Sequence, residues 1–174
     1  FSKERKIKRL RWALETERIK YVEITKNGTT RFYVTTPDWL RDKKYFGKWL
    51  LDFDSDTISS ISREVLFWDG LWTRKSLYTS KFKTNAEWVQ IIELLSGRRA
   101  NLIPRVVGGQ TYWDTALGRK PYSVTTNFKQ EDVPFDGIVY CVTVPDGNII
   151  TRHNNKVAIV GNCPAHSELG KKLR

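Results

Sequence analysis

The chain has few cysteines, no long apolar run and fewer acidic than basic side chains. Its two cysteines, Cys141 and Cys163, are too few for a disulfide framework, so each is expected to be a small buried residue or a reactive thiol. No apolar run approaches the roughly 18 residues that cross a bilayer, and the start FSKERKIKRL lacks the apolar segment of a signal peptide. These absences predict a soluble cytoplasmic protein with no membrane partner.

The excess of basic residues is concentrated in two parts of the chain. Overall, 30 Lys and Arg stand against 19 Asp and Glu in 174 residues, a net charge of +11. Residues 1–48 hold 14 basic and 6 acidic side chains, and residues 76–128 hold 7 and 3. Such a surface favours a polyanionic partner, and double-stranded DNA is the expected one. The 40% apolar content is enough to fill a core, which argues against disorder.

The periodicity of apolar residues predicts alternating helices and hairpins before residue 128. An amphipathic helix is expected over 2–17, because Ile7, Leu10 and Leu14 recur at helical spacing. Asn27-Gly28 between two β-prone runs predicts a hairpin. Further helices are expected from Asp56 or Thr57 to Asp69-Gly70 and from Thr84 or Asn85 to Gly97, and strands at 77–79, 100–107, 111–117 and 122–126.

The pattern changes at Gly137, where three short strands are expected to form a meander that ends at Gly161-Asn162-Cys163. An Asn side-chain amide can attack its own backbone carbonyl, form a succinimide and release the chain that follows. A Cys thiolate at the next position can accept an acyl group, provided that a nearby group lowers its pKa or takes its proton. Asn162 and Cys163 are therefore candidate catalytic residues.

Residues 137–163, read as GIVYCVTVPDGNIITRHNNKVAIVGNC, resemble the C-terminal end of inteins. The resemblance implies autocatalytic protein splicing without a cofactor, in which Asn162 cyclises and Cys163 accepts the acyl group. It implies that Cys141 coordinates the steps of splicing. It also makes His153 a candidate to assist the cyclisation of Asn162. The nucleophile that starts splicing is not present, so the implied partner is the missing N-terminal intein portion.

Two runs before residue 128 resemble the second half of LAGLIDADG-type homing endonucleases: SREVLFWDGLW and LYTSKFKTNAEWVQIIELLSGRRANLI. The resemblance implies half of an αββαββ endonuclease domain in which Asp69 binds the Mg²⁺ that cuts DNA. Each half of such an enzyme supplies one carboxylate to the metal, so cleavage would need the missing N-terminal half. Five basic residues are candidate phosphate contacts: Lys81, Lys83, Arg98, Arg99 and Arg105.

These observations predict an α+β chain in three parts. Residues 1–128 form the endonuclease-like half domain, 129–162 the Hint-type splicing segment, and 163–174 the downstream extein. Two alternatives stay open. One is a zinc-stabilised DNA-binding module that uses Cys141, His153, Cys163 and His166, although only Cys163 and His166 have a metal-ligand spacing. The other is a stand-alone DNA endonuclease whose Gly-Asn-Cys end is accidental.

Overall fold

The computed structural model describes residues 1–41, 45–72, 76–118, 132–138, 142, 144–145 and 147–161. Within them helices and antiparallel strands alternate along the chain. The helices are α1 (Glu4–Thr16), α2 (Asp38–Arg41), α3 (Ser55–Asp69) and α4 (Lys83–Leu95), with a 3₁₀ turn at Lys48–Asp52. The strands are β1 (Tyr21–Lys26), β2 (Thr29–Val34), β3 (Gly70–Trp72), β4 (Ser76–Ser80), β5 (Ala100–Val107), β6 (Gln110–Leu117), β7 (Asn148–His153) and β8 (Lys156–Gly161).

The first hairpin forms where the sequence predicts it. Strands β1 and β2 are antiparallel and paired from Tyr21 with Val34 to Lys26 with Thr29. Asn27 and Gly28 both have positive φ, 50° and 70°, as the two central residues of a type I′ turn must. The Asn-Gly prediction is therefore confirmed, and the turn fixes which side chains share a face of the hairpin.

A four-stranded antiparallel sheet in the order β3-β4-β6-β5 forms the centre of the fold. Helices α3 and α4 pack on one of its faces, because each has an apolar stripe at helical spacing. The main core lies between these helices and the sheet, and it consists of Val65, Tyr78, Ala86, Val89 and Leu102. A second core cluster consists of Leu50, Ile58 and Ile92, which come from the 3₁₀ turn, α3 and α4.

Helix α3 is fixed at both ends by local chemistry. The Asp54 carboxylate accepts a hydrogen bond of 2.7 Å from the backbone N–H of Thr57, which caps the first turn and lowers the pKa of Asp54. At the other end the chain passes directly from Asp69 into strand β3. A Cβ at Gly70 would overlap the backbone of Leu66, so only glycine fits this junction.

The second hairpin, β7 with β8, lies against helix α4. Arg152 Nη1 is 3.2 Å from the Glu87 carboxylate, and Gln90 Nε2 donates a 2.7 Å hydrogen bond to the carbonyl of Asn155. The turn residues Asn154 and Asn155 have positive φ, as in the first hairpin. These two strands are the last two of the predicted meander.

The helices predicted from periodicity agree with α1, α3 and α4 within two residues at most boundaries. The described part of the chain is a mixed structure of helix and sheet. Residues 122–126, Cys141, Asn162, Cys163 and His166 lie outside the described residues, and so do most of the first predicted strand of the meander and the segment 163–174. No helix of the described residues is both long and apolar enough to cross a bilayer.

Candidate nucleic-acid interface

Four cations of helix α1 are held in internal contacts, so they are not free to bind another molecule. Lys6 and Arg9 pair with carboxylates of α3, and Arg11 pairs with the hairpin. Arg5 donates to the carbonyls of Phe67 and Gly70, at 2.5 and 3.3 Å, where the C-terminal end of α3 has orphan acceptors. The carboxylate partners are Asp69 for Lys6, Glu64 for Arg9 and Glu23 for Arg11.

Asp69, the residue expected to bind Mg²⁺, has a cation as its neighbour. Its Oδ1 lies 2.6 Å from Lys6 Nζ, and the Asp69 side chain is 59% exposed. The close approach of Gly70 to Leu66 gives the Asp-Gly pair a structural reason at the end of α3. Among the described residues no three His, Cys, Asp or Glu side chains come together. Metal binding by Asp69 stays a prediction from the sequence.

The five basic residues expected to contact phosphates do not form one patch. Arg98 is paired with the buried carboxylate of Glu93 at 2.8 Å, and Arg105 with that of Asp114 at 2.6 Å. The buried carboxylate engages Nε and Nη2 of each guanidinium, which leaves Nη1 for another ligand but fixes where each arginine points.

Of the three other predicted phosphate contacts, Lys81 and Lys83 lie near each other and Arg99 lies apart from both. Lys83 is 3.5 Å from Glu87 and lies over the ring of Trp113. Lys81 and Arg99 are exposed and form no ion pair within the described residues. Lys81 follows β4 at the end of the sheet where Ser80 pairs with Trp113, whereas Arg99 precedes β5 at the opposite end.

The ion pair of Arg105 and Asp114 lies on the face of the sheet opposite to α3 and α4. Asp114 also accepts a 2.7 Å hydrogen bond from the hydroxyl of Thr79, and the Arg105 guanidinium lies over the ring of Tyr112. The hydrogen bond from Arg105 lowers the pKa of Asp114 and raises that of Arg105. This arrangement ties β4, β5 and β6 together and is explained by the structure of the sheet alone.

One face of the first hairpin combines exposed apolar side chains with unpaired cations; we call it the ribbon face. Side chains alternate between the two faces of a strand, and the register places the members of this face side by side. Val22, Ile24 and Tyr33 are each half exposed or more, at 58%, 50% and 52%. The ribbon face consists of Val22, Ile24, Lys26, Thr29, Arg31 and Tyr33, and a concavity of about 380 Å³ lies at its turn end.

Lys26 and Arg31 are the cations of the ribbon face, and both are exposed. Neither makes an ion pair or a side-chain hydrogen bond within the described part of the chain, unlike the four cations of α1. Arg31 lies directly across from Ile24, and Lys26 across from Thr29. The face therefore offers two free positive charges beside an apolar surface.

The opposite face of the hairpin is packed against the rest of the protein. Thr30 is buried, Phe32 contacts the rings of Phe1 and Tyr21, and Glu23 is held by Arg11. The hydrogen bond from Arg11 lowers the pKa of Glu23. Packing on this side leaves the ribbon face as the outer surface of the hairpin.

The ribbon face is a candidate site that the amino-acid sequence alone did not reveal. The alternation of side chains within β1 and β2 predicts two faces of the hairpin. It does not predict which face is exposed, because both faces contain apolar and charged residues. Only the packing of Thr30 and Phe32 decides which face is exposed.

His153, the other predicted site residue that is described, is exposed in the turn between β7 and β8, where its Nε2 is 2.9 Å from Asn154 Nδ2.

Comparison with known proteins found a relative in Aquifex aeolicus (strain VF5). The chain is similar to its ribonucleoside-diphosphate reductase subunit beta, with 29% identity over 180 aligned positions that include 94% of this chain. The chain spans only about a quarter of that relative, 26% of its length. No family model matches the chain. No solved structure matches it.

The name of this relative contradicts the expectation of an intein with a homing endonuclease domain. The relative is a ribonucleotide reductase subunit by name, and the similarity extends over nearly the whole chain. The assignment of autocatalytic splicing to Asn162 and Cys163, together with the associated nuclease, is corrected accordingly. Nothing in the comparison supports the zinc module or the stand-alone endonuclease.

Proposed function

We propose that this chain is a module that binds double-stranded DNA through the ribbon face. The observation that carries the proposal is the contrast between free and engaged cations. Arg5, Lys6, Arg9 and Arg11 are held by acceptors of the protein, whereas Lys26 and Arg31 are exposed and unpaired within the described residues. A phosphate backbone is the ligand class that pairs with such cations.

The shape of the ribbon face suits a nucleic-acid groove. The major groove of B-DNA is about 12 Å wide and admits a two-stranded β-ribbon. Strands β1 and β2 form such a ribbon, closed by the tight turn at Asn27-Gly28. In that placement Lys26 and Arg31 reach phosphates, while Ile24 and Tyr33 lie against base edges or sugars.

The charge of the surrounding chain supports the same partner. Residues 1–48 have a net charge of +8, and the hairpin lies in the middle of this segment. Arg18 and Lys20 precede β1 and are exposed without an ion pair in the described part of the structure. A field of this sign attracts DNA from a distance and weakens as salt screens it.

Fluorescence anisotropy with a labelled duplex tests the proposal. We expect binding at about 50 mM salt that weakens steeply by about 200 mM, since each phosphate contact contributes a slope of about 0.9 to the plot of log affinity against log salt. An acidic polypeptide of equal length serves as a competitor. Binding that does not depend on salt, or that the acidic polypeptide abolishes as effectively as DNA does, would refute the proposal.

We also infer that the chain is a segment of a larger protein related to ribonucleoside-diphosphate reductase subunit beta. The similarity extends over 94% of the chain but only 26% of the relative. In this proposal the segment contributes DNA binding, and any reductase activity belongs to the whole protein. The coding sequence on both sides of the segment tests it: flanking regions that align with the rest of the same relative are expected, and unrelated flanking regions would contradict it.

A further inference from the structure

A cavity of about 360 Å³ lies between the C-terminal halves of helices α3 and α4 and the adjacent ends of β4 and β6. Its apolar wall is formed by Leu66 and Phe67 of α3 and by Leu117 of β6. This volume is at the lower end of the range of small-molecule sites, about 300 to 1,000 Å³. The cavity is separate from the ribbon face, which is built by β1 and β2.

The polar wall of the cavity contains a buried carboxylate that the protein neutralises by itself. Glu93 has a side-chain exposure of 1%, and its Oε2 accepts a 2.8 Å hydrogen bond from Arg98 Nε. Its Oε1 accepts from Arg98 Nη2 at 3.3 Å and from the hydroxyl of Ser62. Arg98 Nη2 also donates to Ser62 Oγ. Both carboxylate oxygens of Glu93 are therefore satisfied.

The network leaves some guanidinium donors of this wall available to a ligand. Arg98 Nη1 donates no hydrogen bond to the described residues, and the Arg98 side chain is one-third exposed. Arg63 adds a second guanidinium to the wall, and its only hydrogen bond within the described residues goes to Ser60 Oγ at 3.1 Å. Two guanidinium groups against one carboxylate leave the cavity with a net positive charge beside an apolar surface.

A buried ion pair adds little net stability, because desolvation offsets most of the attraction between its charges. The Ser62–Glu93–Arg98 network instead holds the Arg98 guanidinium in a fixed orientation at the cavity wall. Fixed orientation favours recognition, since a preorganised guanidinium loses little entropy when it binds an anion. The cavity thus has the features of a ligand site rather than those of a packing defect.

We propose that this cavity binds a small organic anion with an aromatic body. Its carboxylate or phosphate group pairs with Arg98 and Arg63, and its ring packs against Phe67, Leu66 and Leu117. The proposal is independent of DNA binding, because none of these residues belongs to the ribbon face.

Isothermal titration with benzoate, phenyl phosphate and the neutral isostere benzamide tests the proposal. We expect at least one anion to bind and benzamide to bind at least tenfold more weakly. Arg63→Gln should weaken binding of the anion about tenfold, because one charge-assisted hydrogen bond is lost. Lys48→Gln, which removes an exposed charge from the 3₁₀ turn, is the matched control and should leave binding unchanged.

A second measurement locates the ligand. The NMR signal of Arg98 Nε–H should shift on addition of the anion, and its intensity in the free protein reports that the variants are folded. Binding of only one of the two anions supports the proposal and identifies the acid group. No anion binding below about 10 mM, equal binding of benzamide, equal effects of the two variants, or an unshifted Arg98 signal would each overturn it.

Discussion

Loss of Arg98 should destabilise the protein far more than loss of its neighbour Arg63. In Arg98→Ala the carboxylate of Glu93, which is 1% exposed, loses its cation. Breaking a buried pair in this way costs about 3 to 5 kcal/mol. Since Arg98 is 35% exposed, water reaches the site in the variant and the lower value, about 3 kcal/mol, is expected.

Urea unfolding followed by tryptophan fluorescence measures this effect. With a slope of about 2 kcal/mol per M, a loss of about 3 kcal/mol lowers the midpoint by about 1.5 M. Arg63→Ala removes an exposed guanidinium from the same wall and should change the free energy of unfolding by less than about 0.5 kcal/mol.

The double variant Glu93→Gln with Arg98→Ala separates the charge effect from lost packing. Glutamine keeps the shape of the Glu93 side chain without its charge, so removal of Arg98 should cost only about 1 kcal/mol in that background. If Arg98→Ala is as mild as Arg63→Ala, or costs the same in the Glu93→Gln background as in the parent chain, the account of this buried pair is incorrect.

Two further predictions concern the α3–β3 junction and the sheet. Gly70→Ala should lower the free energy of unfolding by about 3 kcal/mol, because its Cβ would overlap Leu66; Gly28→Ala, which has positive φ but open space, should cost about 1 kcal/mol. Urea midpoints of the two variants compare them, and equal effects would refute the steric argument. Arg105 lowers the pKa of Asp114, so this pair stabilises the fold above the unfolded pKa of about 3.9, and the stabilisation is lost as pH falls through the folded pKa. The free energy of unfolding measured from about pH 6 to about pH 2 should therefore fall less steeply in Asp114→Asn than in the parent chain, and identical slopes would contradict the assignment.

Local signals in the sequence were sufficient to predict most of the secondary structure. The Asn27-Gly28 turn requires positive φ at two residues, which few other dipeptides accept, and the apolar spacing in α3 and α4 specifies which side is buried. The start of α4 differs from the expected cap at Thr84 or Asn85, because the helix begins at Lys83 and Asn85 instead accepts a hydrogen bond from the backbone of Phe46.

The sequence does not predict which cations are engaged in internal ion pairs and which are left exposed and unpaired within the described residues. Arg98 meets Glu93 only because the chain turns back at the end of α4, and Arg105 meets Asp114 only across the β5–β6 register. Both were expected to contact phosphates. Conversely, Lys26 and Arg31 are distinguished only by the packing of the opposite hairpin face, which depends on α1 and Phe32.

The salt dependence of duplex binding by a variant of the ribbon face tests whether this face contacts DNA. Lys26→Ala with Arg31→Ala removes two phosphate contacts, so the slope of log affinity against log salt should fall by about 1.8. Lys48→Ala with Lys156→Ala removes the same charge from exposed positions on the 3₁₀ turn and β8, and it should leave the slope nearly unchanged. Equal slopes for the ribbon-face variant, the control and the parent chain would contradict DNA binding through the ribbon face.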